Sequence, residues 1–567
     1  MQSKKTLFFL ILLTLFAFAI RVYKIDTLPL GVHPDEASWG YNAYSIIETG
    51  KDEHGTNYPL IFKAFGDQKL PVFTYALVPF IKVFGLNNLA VRLPAAIIGT
   101  LTVVVVFFIL KQFKFSDSLS LLGVLIAATS PWFIFLSRVF SPDSTFGLFF
   151  YSLGILLALK AYRQNKGLYF FLAAFCFAAT LYSYIAYRLI TPLTIISFLL
   201  IFQRTKRFVN KQALLMLASF FLMILPLLFL SFSGSGTARF KQVFSTPMIG
   251  MIMEINENRY FCTQKLPRFL CNLNDNKLKS YVQTLGYRYL KTLSPEYLFL
   301  EGDKESKFLN VTKYGMFYYI LLPLYFGAFF YFGNRLLQKR LNRSEVFVLS
   351  GLIIAPISAL LVNEPGKTRL SGLSIFMVSA LVYGAYFINT TLKKKNYQII
   401  FYCFSTILIL LYTTLFLIDF LVIHLHKNEF FYQNHNTKLV KYLGQQDKQT
   451  QIYIRGIDEA IVLYAYLNKV DPQVYQTKVK RQPTDDIGFA HASDLLNIHI
   501  TKMNINDLYC QTKSKNQTVL YATNDNLIGP QYFKKAKKII YSEDKTYKLQ
   551  YVYDLRQLLN KEQIRCQ

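Results

Sequence analysis

Charge is in short supply in this chain. Only 17% of its 567 residues are charged, against about 25% in an ordinary soluble domain, so soluble domains of this combined length would be short of polar surface. Acidic residues are the scarcer kind, 33 Asp and Glu against 62 Lys and Arg. The chain holds no His-Glu-x-x-His run and no closed Cys/His set, so the usual sequence marks of a zinc site are missing. No internal repeat or low-complexity segment stands out.

Apolar residues fill the space that charge leaves. They make up 53% of the chain, with 52 Phe and 39 Tyr but 2 Trp, and the mean hydropathy is +0.28. Tyr and Trp favour membrane interfaces. The apolar residues fall in long blocks, and about 20 such residues at 1.5 Å each cross a hydrocarbon core of about 30 Å. A soluble enzyme is excluded.

Uninterrupted apolar runs predict eleven spanning helices, at about 6–22, 88–110, 118–136, 142–161, 168–187, 189–203, 212–232, 312–333, 345–362, 370–390 and 398–422. The third is interrupted by Ser130-Pro131, and the sixth is short. The fold class expected is an α-helical polytopic membrane protein with a small C-terminal α/β domain. Residues 1–424 form the membrane domain, and 425–567, with β-rich runs such as Gln451-Ile452-Tyr453-Ile454, form the tail.

Basic residues in short loops set orientation. With the N-terminus cytoplasmic, the inner segments hold Lys4 and Lys5, Lys111 and Lys114, Lys160, Arg163 and Lys166, then Arg204, Lys206, Arg207 and Lys211. Arg335, Lys339, Arg340 and Arg343 follow, and then Lys393, Lys394 and Lys395. The short outer loops hold only Arg138, Arg188, Lys367 and Arg369. That asymmetry accounts for much of the basic excess, and nucleic acid is not an expected partner. Ala17-Phe18-Ala19 resembles a signal-peptide cleavage site, but the apolar run continues past it, which favours an uncleaved first helix. The segments 23–87, 233–311 and 425–567 then share the outer face of a plasma-membrane protein.

The six cysteines agree with that sidedness. Cys176 and Cys403 lie within apolar spans, whereas Cys262 and Cys271 share one outer loop and Cys510 and Cys566 share the tail. An even pair in each outer segment predicts two local disulfides, Cys262–Cys271 and Cys510–Cys566.

Candidate chemistry begins just past the first span, at His33-Pro34-Asp35-Glu36-Ala37. The plain reading is helix capping, since acidic groups favour the positive N-terminal end. The functional one is a partly desolvated carboxylate that accepts a proton from a hydroxyl nucleophile. Further along come Gly50-Lys51-Asp52-Glu53-His54-Gly55, Gly66-Asp67-Gln68-Lys69-Leu70-Pro71, and an apolar, interfacial helix over 70–84. Arg92-Leu93-Pro94 opens the second span and Ser141-Pro142-Asp143 the fourth. Three outer elements thus bring carboxylates and cations to one membrane face.

Asp35-Glu36-Ala37, Lys69-Leu70-Pro71, Ala90-Val91-Arg92-Leu93-Pro94 and Pro142-Asp143 together resemble the protein O-mannosyltransferase and aminoarabinose-transferase family of the glycosyltransferase C superfamily. Ser294-Pro295-Glu296-Tyr297-Leu298-Phe299 and Glu301-Gly302-Asp303 are also similar to bacterial members. The resemblance covers about 1–390; it departs at Leu70, where a second proline is frequent. It implies a sugar donor on a polyprenyl phosphate, an acceptor lipid, glycan or protein at the outer face, and direct displacement with inversion. It also implies roles: Asp35 engages the acceptor hydroxyl, Glu36 supports it, Asp143 is the second acidic group, and Lys69 faces the donor phosphate. Arg92, Arg138 and Arg369 are candidates to join Lys69, because cations stabilise the charge that develops on a departing phosphate. No cofactor is expected, although His33, Asp35 and Glu36 leave a divalent metal open.

Two other functional classes compete. A transporter or flippase also has many spans, but ion-coupled transport places ionisable groups mid-membrane, and here they gather at helix ends. A receptor or scaffold that binds through its tail would share the composition.

Overall fold

The structure, a computed structural model, describes residues 3–559 apart from 66, 140, 203–210, 233–251, 304–309, 312, 362–365, 485–489, 514–516, 525–526 and 528–529. Eight helices among the described residues are long and apolar enough to cross a membrane, beginning with Lys4–Val22 and ending with Lys395–Lys427. All eleven expected spans coincide with helical segments, but three fall outside that count. Asp117–Thr129 and Pro131–Arg138 form a pair bent by 51°. The bend has a local cause: Pro131 brings no backbone N–H, and Ser130 ends one helix and caps the next through its hydroxyl on Trp132 N. The spans predicted at 168–187 and 189–203 are the shorter helices Gly167–Leu181 and Tyr187–Phe202, divided by turn residues 182–186. Phe221, Phe229 and Leu337 present large apolar side chains outward, as a lipid-facing belt requires. The chain is a multi-pass membrane protein.

Two compact units make up the chain, Met1–Tyr23 with Ala95–Ile418, and Lys24–Pro94 with Asp419–Gln567. In the first, helices pack through one continuous apolar core that includes Phe107, Trp132, Tyr151 and Val378. Leu322–Leu337 lies against Leu373–Thr391 at Gly384, where a Cβ would come within 1.8 Å of Leu324 O. Small residues at such crossings let helix backbones approach.

The second unit joins the loop after the first helix to the tail. Gly31 marks the junction: its φ is +81°, and a Cβ there would lie 2.6 Å from Asn434 Cα. Gln476 Nε2 donates to Ser45 Oγ and to Asp52 O, and Tyr41 OH donates to Val470 O. The tail carries a seven-stranded mixed sheet. In chain order its strands are β1 (Gln451–Arg455), β2 (Lys480–Arg481), β3 (Ala492–Leu495), β4 (Ile498–Ile500), β5 (Val519–Asn524), β6 (Lys538–Tyr541) and β7 (Lys548–Asp554). They stand in the order β2-β3-β4-β1-β5-β7-β6, with β1 parallel to both β4 and β5 and the other pairs antiparallel. A small α/β fold is what the tail's short β-rich runs predict.

Cys262 and Cys271 are joined by a disulfide. Cys510 is also disulfide-bonded; its expected partner, Cys566, lies outside the described residues.

Candidate active site

The helix Pro34–Thr49 begins the site. Pro34 at its first position suits the fixed φ of proline, and His33 caps it by accepting the Asp35 N–H at 3.2 Å. Glu36 completes a capping box, Oε2 accepting the His33 N–H at 3.1 Å. The two acidic residues therefore part company. Glu36 caps the helix, and Asp35 does not.

Asp35 is turned instead to Lys69, whose Nζ lies 2.5 Å from Oδ1 and 3.3 Å from the Asp35 carbonyl oxygen. Lys69 is held by a short antiparallel pair, Phe62–Ala64 with Asp67–Lys69, and is 4% exposed. Its ammonium sits 3.9 Å from the centre of the Trp39 ring, one helical turn beyond Asp35, and Trp39 is braced edge-on by Phe73. A cation over an indole face is attracted by the ring quadrupole. Desolvation raises the Asp35 carboxyl, but the Lys69 ammonium and His33 outweigh it and hold the group well below the usual carboxylate range. His33 Nδ1 already accepts a backbone N–H, so the 3.3 Å approach of Asp35 Oδ2 to it is an ion pair only when the ring is protonated.

Arg92 is more fully engaged than the sequence suggests. Nε and Nη2 grip Glu36 at 2.8 and 2.9 Å, Nη1 donates to Ile25 O and Pro29 O, and Nη2 also donates to Gly31 O. All five N–H groups are spent inside the protein. Arg92 and Glu36 form a buried clamp that fixes residues 25–36, and with them Asp35.

The remaining candidates lie in the other compact unit. Arg138 is also a clamp, donating to Ile20 O, Arg21 O and Tyr23 O at the C-terminal end of the first helix, where a cation complements the helix dipole. Asp143 stands in the first turn of Pro142–Gln164, its Oδ1 accepting the Ser144 N–H at 2.8 Å. Arg369 is half-buried in a loop pinned on several sides: Trp132 Nε1 donates to Lys367 O, Tyr184 OH to Thr368 Oγ1, and Ser358 Oγ to Arg369 O. In the same loop Lys367 is buried, its Nζ 3.8 Å from the Phe135 ring centre. Burial brings its pKa down to about 7, against the opposing pull of Asp303.

Residues that sequence reasoning did not assign are Lys367, Trp39 and Glu53. Trp39 had a readable signal, since i and i+4 share a helix face. Lys367 is marked only by lying in a loop between two expected spans. Among the described residues no group of three His, Cys, Asp or Glu side chains is arranged to hold a metal; Glu36 is turned away to Arg92.

Residues 68–229 match the family described as dolichyl-phosphate-mannose-protein mannosyltransferase, a range that contains Lys69, Arg92, Arg138 and Asp143. The fold is similar to the oligosaccharyltransferase AglB from Archaeoglobus fulgidus, solved with an inhibitory peptide and a dolichol-phosphate. That pair has 13% identity and a TM-score of 0.50, over 82% of this chain and 64% of the other. The fold is also similar to ArnT from Cupriavidus metallidurans in its apo state, at 9% identity and a TM-score of 0.50, over 97% of this chain and 98% of that one. The chain has the fold of these glycosyltransferase C structures. Identities this low carry the GT-C fold and no residue roles, and the chain spans 64% of the length of the archaeal member. No curated protein sequence matches it.

Proposed function

We propose that this GT-C protein is an inverting glycosyltransferase that moves a sugar from a polyprenyl phosphate to an acceptor hydroxyl at the outer face of the plasma membrane. The observation that carries the reading is the Asp35–Lys69 pair, an ionised carboxylate and a buried ammonium held together at the head of the first outer loop. The match to a dolichyl-phosphate-dependent family over 68–229 and the lipid phosphate named with the archaeal relative support a lipid-linked donor.

In the reaction, the acceptor oxygen forms a bond to the anomeric carbon while the bond from that carbon to the phosphate oxygen breaks. The departing polyprenyl phosphate keeps the electron pair, and the acceptor proton passes to Asp35. Asp35 is ionised throughout the neutral range, so it is always ready to receive that proton. Because its basicity is low, transfer comes late, once charge has built on the bond-forming oxygen. Lys69 stands where one ammonium can balance Asp35 and meet negative charge on the leaving phosphate, and such preorganised charge needs little rearrangement as the reaction proceeds. Arg369 is proposed as a donor-phosphate cation and Asp143 as the second acidic group. The long lipid tail of the donor explains why the enzyme is built in the membrane.

Incubating the purified full chain with a panel of polyprenyl-phosphate sugars, and measuring release of the lipid carrier, tests this reading. Sugar-dependent release that Asp35→Asn abolishes supports it; a folded protein that releases carrier from no member of the panel refutes it.

A further inference from the structure

Residues 252–293, in the membrane unit, lie largely bare. They form a helix over 252–263, then Arg268–Asn274 and Lys277–Leu293. Across this stretch only Ile255, Cys271 and Thr292 are buried, while twelve large apolar or aromatic side chains are exposed. Phe269 and Leu278 are each 74% exposed. The Cys262–Cys271 disulfide ties the first two helices together, the kind of cross-link that serves a segment with little core of its own. Water is a poor solvent for such a surface, and soluble monomers rarely expose large contiguous apolar patches.

Charge and position say what covers it. From Arg259 to Leu293 seven Lys and Arg stand against one acidic residue, Asp275. That imbalance complements a layer of negative headgroups, where each basic residue adds to the attraction. As to position, Tyr289 OH donates to Ile353 O at 2.7 Å, and Tyr325 OH donates to Leu293 O at 3.0 Å. Ile353 belongs to the candidate span Arg343–Leu360 and Tyr325 to Tyr319–Leu337. One is toward the end of its span and the other toward the start, so the helix Lys277–Leu293 is fastened within reach of the lipid surface.

That helix has the pattern the interface requires. Leu278, Val282, Leu285 and Tyr289 recur at helical spacing and form one stripe. Tyr289 holds one end of the stripe to a span, and Leu278 and Val282 at the other end are exposed. With 17 residues, four of them basic, the helix is too short and too charged to cross a bilayer. A basic amphipathic helix of this kind lies in the interfacial plane instead.

We propose that residues 252–293 dock on an anionic phospholipid surface, with Phe269, Leu278 and Val282 among the acyl chains and Lys265, Arg268 and Lys277 at the level of the headgroup phosphates. Long basic side chains reach headgroups while their stems stay with the apolar surface. Docking of this kind is independent of the reaction the protein catalyses.

The full chain is reconstituted in nanodiscs of phosphatidylcholine alone or mixed in equal parts with phosphatidylglycerol. Cys403 is exposed and Cys176 buried, so a Cys403→Ser background accepts one fluorophore, at Leu278→Cys or, across the same helix, at Gln283→Cys. Doxyl-labelled lipid should quench the probe at position 278 at least about twofold more than the probe at 283, and acrylamide should do the reverse. Phosphatidylglycerol should enlarge the lipid quenching at 278. Lys265→Gln, Arg268→Gln and Lys277→Gln together, all at exposed positions, should abolish that enlargement in a protein that still elutes as the wild type does. A probe at 278 open to acrylamide in both membranes overturns the docking and leaves the apolar face to a protein partner. Equal lipid quenching at 278 and 283 overturns the assignment of the stripe, and quenching indifferent to phosphatidylglycerol overturns the anionic surface.

Discussion

The Lys69 ammonium lies 2.5 Å from the Asp35 carboxylate while almost withdrawn from solvent. A lysine so placed meets the Asp35 carboxylate directly, with the Trp39 and Phe65 rings beside it. The helix cap at this point is made by His33 and Glu36, so Asp35 is not needed as the cap.

Asp35→Asn should lower transfer by about 10²–10⁴-fold, the usual worth of a positioned proton acceptor, with donor binding close to wild type and a lower unfolding midpoint, because the buried Lys69 ammonium loses its carboxylate partner. Lys69→Met should reduce donor binding as well as turnover. It should also move the acid limb of the pH–rate profile upward, since removing the ammonium lets the Asp35 pKa rise toward its ordinary value. Parallel profiles for wild type and Lys69→Met would break the link between these two residues.

The Glu36–Arg92 clamp should behave as structure. Removing one partner of a buried ion pair costs about 3–5 kcal/mol, because the other charge is left uncompensated. Arg92→Ala and Glu36→Ala should each lower the unfolding midpoint strongly. The double variant should lose much less than the two losses added, since neighbours in one network are not additive. Arg92→Lys should not rescue, as an ammonium cannot reproduce a two-pronged grip with three further carbonyl contacts. Additive losses in the double-variant cycle would contradict the clamp.

Much of this arrangement was legible in the sequence, and the parts that were not share a physical cause. Span-length apolar runs located the eight helices that are long and apolar enough to cross a membrane among the described residues, because lipid imposes a length and a composition. The short helices Gly167–Leu181 and Tyr187–Phe202 were read as longer because hydropathy does not register the turn between them. Asp35, Glu36, Lys69 and Arg92 were all selected, but their pairing was not, since short motifs fix which residues are present and not which carboxylate faces which cation. Arg92 and Arg138 looked like free cations at helix ends; each is consumed by backbone carbonyls that only the folded loops supply. The packing of loop 24–94 with the tail rests on contacts such as Gly31 against Asn434, which leave no periodic trace.

Glu53 should make stability depend on pH in a defined direction. Its carboxyl is raised in the folded state from an ordinary 4.5 to about 7. The native structure therefore favours the protonated form, and the stabilisation is complete below the unfolded value and is lost as pH rises through the folded one. Unfolding midpoints should fall between about pH 5 and pH 8 in the wild type, and Glu53→Gln, which keeps the amide-like shape without the charge, should flatten that slope. An equal slope in the variant would assign the pH dependence to other groups.

Lys367 offers a separate pH signature. Burial lowers its pKa to about 7, so its positive charge fades as pH rises through neutrality. Donor binding that uses this charge should weaken over that interval. Lys367→Arg, which stays charged at every accessible pH, should remove the dependence if the larger head group is accommodated, and Lys367→Met should bind weakly at both ends. Donor titrations at pH 6 and pH 8 that give one affinity for the wild type would take Lys367 out of the donor set.

Trp39 should act on Asp35 through Lys69. The ammonium rests 3.9 Å from the indole centre, an attraction worth about 0.5–2 kcal/mol depending on how dry the pair is. Without the ring, Lys69 gains freedom and holds Asp35 less tightly, so Trp39→Leu should lower kcat more than it raises KM. It should also shift the acid limb of the pH–rate profile upward, in the same direction as Lys69→Met but by less. Trp39→Phe restores an aromatic face of weaker quadrupole and should recover part of both effects. A ring needed only for packing against Phe73 predicts another pattern: both variants would lose thermal stability, and neither would move the acid limb. The pH profile of Trp39→Leu beside its unfolding midpoint decides between them, because only a residue that positions the ammonium can change the protonation of a carboxylate it does not touch.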